Sequence, residues 1–156
     1  MENFQGIKNI EEIKVFFVNR TGNYHKSCVE AWDELMKFAH KHELMQKGAK
    51  GYGISHDDPK TVPEEKLRYD ACVSYIDGIE PEGEVGVKSI EAGEYAVFLH
   101  KGPYEKLCDV YNKAYAEWLP TSGKKARQAP CFEQYLNNPQ RLKPEDYLTE
   151  IHIPVE

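Results

Sequence analysis

An internal repeat at an offset of 80 residues is the feature that most constrains the fold of this chain. Pairing each residue i with residue i+80, without gaps, gives twelve identities over 76 pairs, where roughly five are expected by chance at ordinary composition. The identities include Gly22 with Gly102, Tyr24 with Tyr104, and Cys28 with Cys108. We therefore expect one domain over residues 1–156, built from two equivalent halves at about 1–77 and 81–156.

The same order of hydrophobic patterns occurs in each half. A short run of β-branched and aromatic residues, at 14–18 or 95–99, predicts a first strand, and a glycine turn follows it. Apolar residues at steps of three and four then indicate an amphipathic helix. Two further strands are predicted to close each half, at residues 51–55 and 69–76 and at residues 131–136 and 148–155.

These patterns together predict an α+β fold. An additional edge strand before each half, near residues 5–8 and 85–89, brings the total to about eight antiparallel strands and two long helices. The unit is thus a duplicated β-α-β-β arrangement, which we expect to have pseudo-twofold symmetry. Because ligand pockets commonly form where two such units meet, we also expect a central cleft.

Charge and hydropathy exclude several classes of function. The net charge is −6, whereas direct binding to DNA or RNA needs a basic face. The dense basic cluster of Lys124, Lys125 and Arg127 is expected to be a solvated loop. No apolar stretch approaches the ~18 residues of a membrane span, and residues 1–10 lack a signal-peptide pattern. We expect a cytoplasmic protein that contacts neither nucleic acid nor a membrane.

The cysteine and histidine spacing predicts neither a metal site nor a disulfide framework. Four cysteines, at 28, 72, 108 and 131, form no C-x-x-C pair. We therefore expect four free thiols in a reducing compartment. The six histidines show no metal-ligand spacing. No phosphate loop, nucleophile elbow or dinucleotide fingerprint occurs, so we expect no cofactor and no metal.

A nine-residue run in the second half carries a family resemblance. Residues 130–138 read Pro-Cys-Phe-Glu-Gln-Tyr-Leu-Asn-Asn and closely resemble a segment of the DNA gyrase inhibitor family. The wider group is the GyrI-like small-molecule-binding family, which includes effector domains of AraC-type and MerR-type multidrug regulators. No helix-turn-helix pattern accompanies the repeat, so we expect a stand-alone ligand domain. Further segments that resemble the family lie at 53–59, 67–70, 93–97, 102–104, 118–120 and 151–155.

The resemblance implies a duplicated fold with a cleft and, in several members, a buried glutamate that receives cationic or aromatic compounds. That residue corresponds to Glu133 here. We expect a protein that binds or sequesters amphipathic, cationic aromatic compounds, as in multidrug binding and toxin resistance. Two alternatives stay open: inhibition of DNA gyrase through protein contact, and hydrolysis of reactive cyclopropane-type alkylating compounds. Only the hydrolase would make Glu133 catalytic, as the group that activates water.

Strand alternation adds neighbours to Glu133. Cys131, Glu133 and Tyr135 share one face of their strand, and the offset of 80 puts Gly, Gly and Ser at the equivalent positions. This asymmetry leaves space in one half and chemistry in the other, as a single ligand pocket would need. The alternative interpretation of Glu133 is a surface carboxylate paired with a lysine.

Further ligand-binding candidates are aromatic, and tyrosine suits an apolar wall that also offers a hydroxyl. Tyr135 and Tyr104 are pocket candidates that could equally be core residues. Trp118 lies on the apolar helix face, where core packing is favoured. For Tyr69 and Tyr147 the strand face stays unassigned, because an alignment slip of one residue reverses every side chain.

Overall fold

Eight β-strands form in the part of the chain that the computed structural model describes, residues 3–156. The chain divides into one unit of residues 12–91 and a second unit of residues 1–11 and 92–156. Each unit holds four strands with antiparallel pairing, so the predicted α+β class is confirmed. The elements are β1 (Phe4–Ile10), β2 (Ile13–Thr21), α1 (Tyr24–Lys41), β3 (Gly51–Ser55), β4 (Arg68–Ser74), β5 (Gly86–Ile90), β6 (Gly93–Lys101), α2 (Leu107–Lys113), α3 (Leu119–Thr121), β7 (Phe132–Tyr135) and β8 (Leu148–Pro154).

The unit of residues 12–91 has the strand order β3-β4-β2-β5, with α1 packed on one face. The side chain of Asn23 begins α1 by accepting a hydrogen bond from the backbone N–H of His25 at 2.8 Å. The buried positions of α1 follow the predicted spacing of three and four, and they pack against Phe16 and Val73 of the strands. A core on one face of the sheet results.

The second unit has the strand order β1-β6-β8-β7, and its helix is not uniform. A 3₁₀ turn at Tyr104–Lys106 leads into α2, a π-helical turn follows at Ala114–Trp118, and α3 is the last turn. The equivalent stretch of α1, residues 34–38, stays α-helical. π-helical turns are rare and are frequent at functional sites, which directs attention to the side chains on this helix.

Backbone pairing decides the alignment of the last strands. Ser55 lies opposite Tyr69 in one unit, and Tyr135 lies opposite Thr149 in the other. Both pairs are 80 residues apart, so Thr149 is the counterpart of Tyr69. The apparent slip of one residue is confined to two prolines: 3₁₀ turns at Glu64–Lys66 and Pro144–Asp146 keep the offset, but one proline precedes its turn and the other begins it.

Strand pairing also places the two edge strands. β1 pairs with β6 and β5 pairs with β2. Each edge strand thus joins the unit whose remaining strands come from the other side of the repeat boundary. Along residues 3–156, no helix is long and apolar enough to cross a membrane.

Candidate functional site

Glu133 is buried in β7 and is held by two tyrosine hydroxyls. Its residue surface is 8% exposed. The hydroxyl of Tyr111 donates to Oε2 at 2.9 Å, and that of Tyr135 donates to Oε1 at 3.0 Å. Each carboxylate oxygen therefore accepts one phenolic hydrogen bond. The alternative interpretation of Glu133 as a surface carboxylate paired with a lysine is wrong, because the strand face that carries it is covered.

Strand register explains why Glu133 points toward the helix. Glu133 lies opposite Ile151, and Ile151 belongs to the hydrophobic cluster that packs under α2 with Val110. Directly opposite residues of an antiparallel pair share a face. The neighbouring Phe132 points the other way and stacks on His152 with ring centroids 4.2 Å apart. The predicted alternation along β7 is thus the one observed.

Burial and hydrogen bonding act on Glu133 in opposite directions. Burial raises the pKa of the carboxyl group, and the hydrogen bonds from Tyr111 and Tyr135 lower it in part. The pKa of Tyr111 is raised well above its usual value, first by burial and then by the negative charge of Glu133. Tyr111 therefore stays protonated, and the site combines a poorly solvated carboxyl with a permanent hydrogen-bond donor.

Aromatic rings extend the cluster beyond Glu133. Tyr104 contacts Tyr135 edge-on, with ring centroids 5.6 Å apart, and stacks on Tyr147 at 4.8 Å. Burial, followed by the charges of Tyr147 and Glu133, raises the pKa of Tyr104 to about 12. The hydroxyl of Tyr147 donates to the carbonyl of Pro139 at 3.1 Å. Four of the predicted site residues, Glu133, Tyr135, Tyr104 and Tyr147, thus come together in one unit.

The structure places the other two predicted residues in hydrophobic cores. Tyr69 is 3% exposed in the unit of residues 12–91, and its hydroxyl accepts a hydrogen bond from Trp32 Nε1 at 2.8 Å. Trp118 packs against Phe4 and Phe98, with ring centroids 5.0 and 5.6 Å away. Core packing, which the sequence favoured for Trp118, describes both side chains.

Tyr111 is the functional candidate that the sequence analysis missed. The helical spacing assigned it to core packing, yet its hydroxyl reaches the carboxylate of Glu133. Tyr115, one turn further along, is within 3.1 Å of Cys131 Sγ through its hydroxyl. A signal was present in the repeat, because Ala31 and Leu35 occupy the equivalent positions of the first half. Two hydroxyls on an otherwise apolar helix face indicate a polar partner on the facing strand.

Other features of the described chain do not add to this cluster. Within residues 3–156, no group of three or more His, Cys, Asp or Glu side chains could hold a metal ion. A cavity of about 480 Å³ opens at the start of α1, with a polar lining that includes Asn23, Ser27 and Glu64. None of the predicted site residues lines it, and it belongs to the other unit.

Comparison with known proteins agrees with the resemblance. The family described as the GyrI-like small molecule binding domain matches residues 6–156. A DNA gyrase inhibitor from Erwinia billingiae is 31% identical over 151 residues, covering 93% of this chain and 92% of that protein. The crystal structure of the EcmrR C-terminal domain has a TM-score of 0.74 at 22% identity and covers 98% of both chains. SAV2435 bound to tetraphenylphosphonium has a TM-score of 0.57 at 16% identity, covering 98% and 93%.

Proposed function

We propose, on the premise that the chain belongs to the GyrI-like small-molecule-binding family, that it binds amphipathic, cationic aromatic compounds at Glu133. One observation carries the proposal: the carboxyl group of Glu133 is buried beneath tyrosines. No lysine, arginine or histidine among residues 3–156 forms an ion pair with it. A buried carboxylate is costly unless it is paired, so a cationic ligand would supply the missing partner.

The aromatic neighbours favour a flat, apolar body around that charge. A cation over a tyrosine face gains about 0.5–2 kcal/mol, more when it is desolvated. Tyr104, Tyr135 and Tyr147 offer such rings within one cluster. The related protein SAV2435 is bound to tetraphenylphosphonium, a lipophilic cation, which supports the same class of ligand here. The role of Glu133 is then electrostatic recognition rather than chemistry.

Substituting Glu133→Gln tests the proposal, because it preserves shape and removes the charge. We expect wild type to bind lipophilic cations such as rhodamine-like dyes with micromolar affinity. The variant should bind at least about tenfold more weakly, which corresponds to ~1.4 kcal/mol. Fluorescence titration measures both affinities, and circular dichroism confirms that the variant is folded.

Glu145→Gln is the matched control. Glu145 is exposed in the same unit, so its substitution makes the same change in net charge away from the cluster. Its affinity should equal that of wild type. Equal affinity of wild type and Glu133→Gln for every dye would remove Glu133 from the site.

Inhibition of DNA gyrase is a second candidate, favoured by the 31% identity to a DNA gyrase inhibitor over most of both chains. It predicts that the purified protein lowers the supercoiling activity of purified gyrase in a dose-dependent manner. Glu133→Gln should inhibit equally, because protein contact does not need a buried carboxylate. Unchanged supercoiling at a large molar excess of this protein would exclude the second candidate.

A further inference from the structure

Thr149 buries a hydroxyl that has no hydrogen-bond partner. The residue is 0% exposed in β8, and its Oγ1 makes no hydrogen bond within the described residues 3–156. Buried polar groups are nearly always hydrogen-bonded, since an unsatisfied one lowers the free energy of unfolding. A valine would fill the same volume without that cost. The hydroxyl therefore needs an explanation outside the stability of the fold.

Strand register places this hydroxyl beside the Glu133 cluster. Thr149 lies directly opposite Tyr135, and the next pair on the same face joins Ile151 to Glu133. Cβ atoms of directly opposite residues lie about 5 Å apart. A ligand that contacts Tyr135 and Glu133 is therefore within reach of Thr149.

The repeat shows that the fold itself does not require a threonine here. The counterpart of Thr149 is Tyr69, whose ring fills the core and whose hydroxyl bonds to Trp32 at 2.8 Å. The second unit thus has a small side chain where the first has a large, hydrogen-bonded one. On the paired strand the exchange is the opposite, with Glu133 in place of Gly53. Space and an unsatisfied hydroxyl therefore occur together next to the buried carboxyl.

A second comparison indicates how a ligand reaches the hydroxyl. Tyr24 is fixed by hydrogen bonds between its hydroxyl and the backbone O and N of Asp57, at 2.8 and 3.1 Å. Its counterpart Tyr104 instead makes ring contacts with Tyr135 and Tyr147. Ring contacts lack the strict direction of hydrogen bonds, so Tyr104 can shift at lower cost. Movement of Tyr104 would open the side of Tyr135 that Thr149 adjoins.

We propose that Thr149 is a specificity-determining residue of the ligand site, which binds a polar group of the ligand through its hydroxyl. The proposal rests on the proposed function, in which Glu133 receives the positive charge. It narrows the ligand class to aromatic cations that carry a hydroxyl, amine or carbonyl group close to the charged centre. A purely hydrocarbon cation leaves Thr149 unsatisfied in the complex, whereas a hydroxylated one satisfies it.

The test compares two probes that differ in one group: tetraphenylphosphonium and its analogue with one phenolic hydroxyl. Isothermal titration calorimetry gives the ratio of their affinities for each variant. We expect wild type to prefer the hydroxylated probe at least fivefold. Thr149→Val should lose this preference and keep its affinity for tetraphenylphosphonium. Thr149→Ser, which retains the hydroxyl, should keep the preference.

The variants also separate the two proposals. Thr149→Val is expected to unfold at a higher temperature than wild type, because it removes an unsatisfied group at constant volume; this control shows that the variant folds. Glu133→Gln should weaken both probes equally. The Thr149 proposal is overturned if wild type shows no preference or Thr149→Val retains it. If Glu133→Gln leaves both affinities unchanged, the role of Glu133 fails instead, and if wild type binds neither probe, both proposals fail.

Discussion

Binding of a permanently charged aromatic cation should weaken by about tenfold for each unit by which the pH falls below the pKa of Glu133. Burial raises that pKa, so the titration moves toward neutral pH and away from the usual range of glutamate. Only the ionised carboxylate attracts the ligand, because protonation removes its charge. Above the pKa the affinity should be constant, since Tyr111 and Tyr104 stay protonated there.

Titration of tetraphenylphosphonium between pH 5 and pH 8 measures this dependence without a change in the charge of the ligand. Glu133→Gln should give a flat profile at the low affinity. Tyr135→Phe should shift the midpoint to higher pH, because the hydrogen bond from Tyr135 lowers the pKa of Glu133. A wild-type profile with no pH dependence, or one that Glu133→Gln shares, would contradict the electrostatic role.

Asp70→Asn should destabilise the protein by about 3 kcal/mol, the lower end of the cost of breaking a buried ion pair. Asp70 is 1% exposed and accepts hydrogen bonds from Asn19 Nδ2 at 2.8 Å, His56 Nε2 at 2.6 Å and Lys88 Nζ. Its loss leaves Lys88 without a counter-charge. The Lys88 side chain is 30% exposed, so water compensates in part and the cost stays at the lower end.

The pH dependence of stability checks the same cluster. Burial raises the pKa of Asp70, but the hydrogen bonds from His56, Lys88 and Asn19 outweigh it and hold the pKa at about 2. A depressed pKa stabilises the folded state above the unfolded-state value of about 4, and this contribution is lost as the pH falls toward 2. Wild type should lose stability over that range, and Asp70→Asn should lack this loss.

Urea denaturation at pH 7 and at pH 3 measures both effects. Asp33→Asn is the matched control, because Asp33 is exposed on α1 and its substitution should change the free energy of unfolding by less than about 0.5 kcal/mol. If Asp70→Asn unfolds at the same urea concentration as wild type, the buried cluster does not contribute to stability.

Local patterns were sufficient for much of the site on β7. The period of two put Glu133 and Tyr135 on one face, and the register confirms it. The role of Tyr111 could not be derived in the same way. A tyrosine at an apolar helical position serves a core or a polar partner equally well, and only the strand that packs against it decides. The π-helical turn at Ala114–Trp118 has no signal in the spacing of apolar residues.

The sequence by itself determined the duplicated α+β fold, because hydrophobic period, turn residues and the offset of 80 are local properties of the chain. Only the tertiary structure decided the register of β8, the pairing of β1 with β6, and the burial of Glu133. Strand partners and burial depend on residues far apart along the chain. Two prolines displaced by one position left the alignment of Tyr69 and Tyr147 open, and backbone hydrogen bonds settled it, since a ladder permits one register and a sequence comparison permits several.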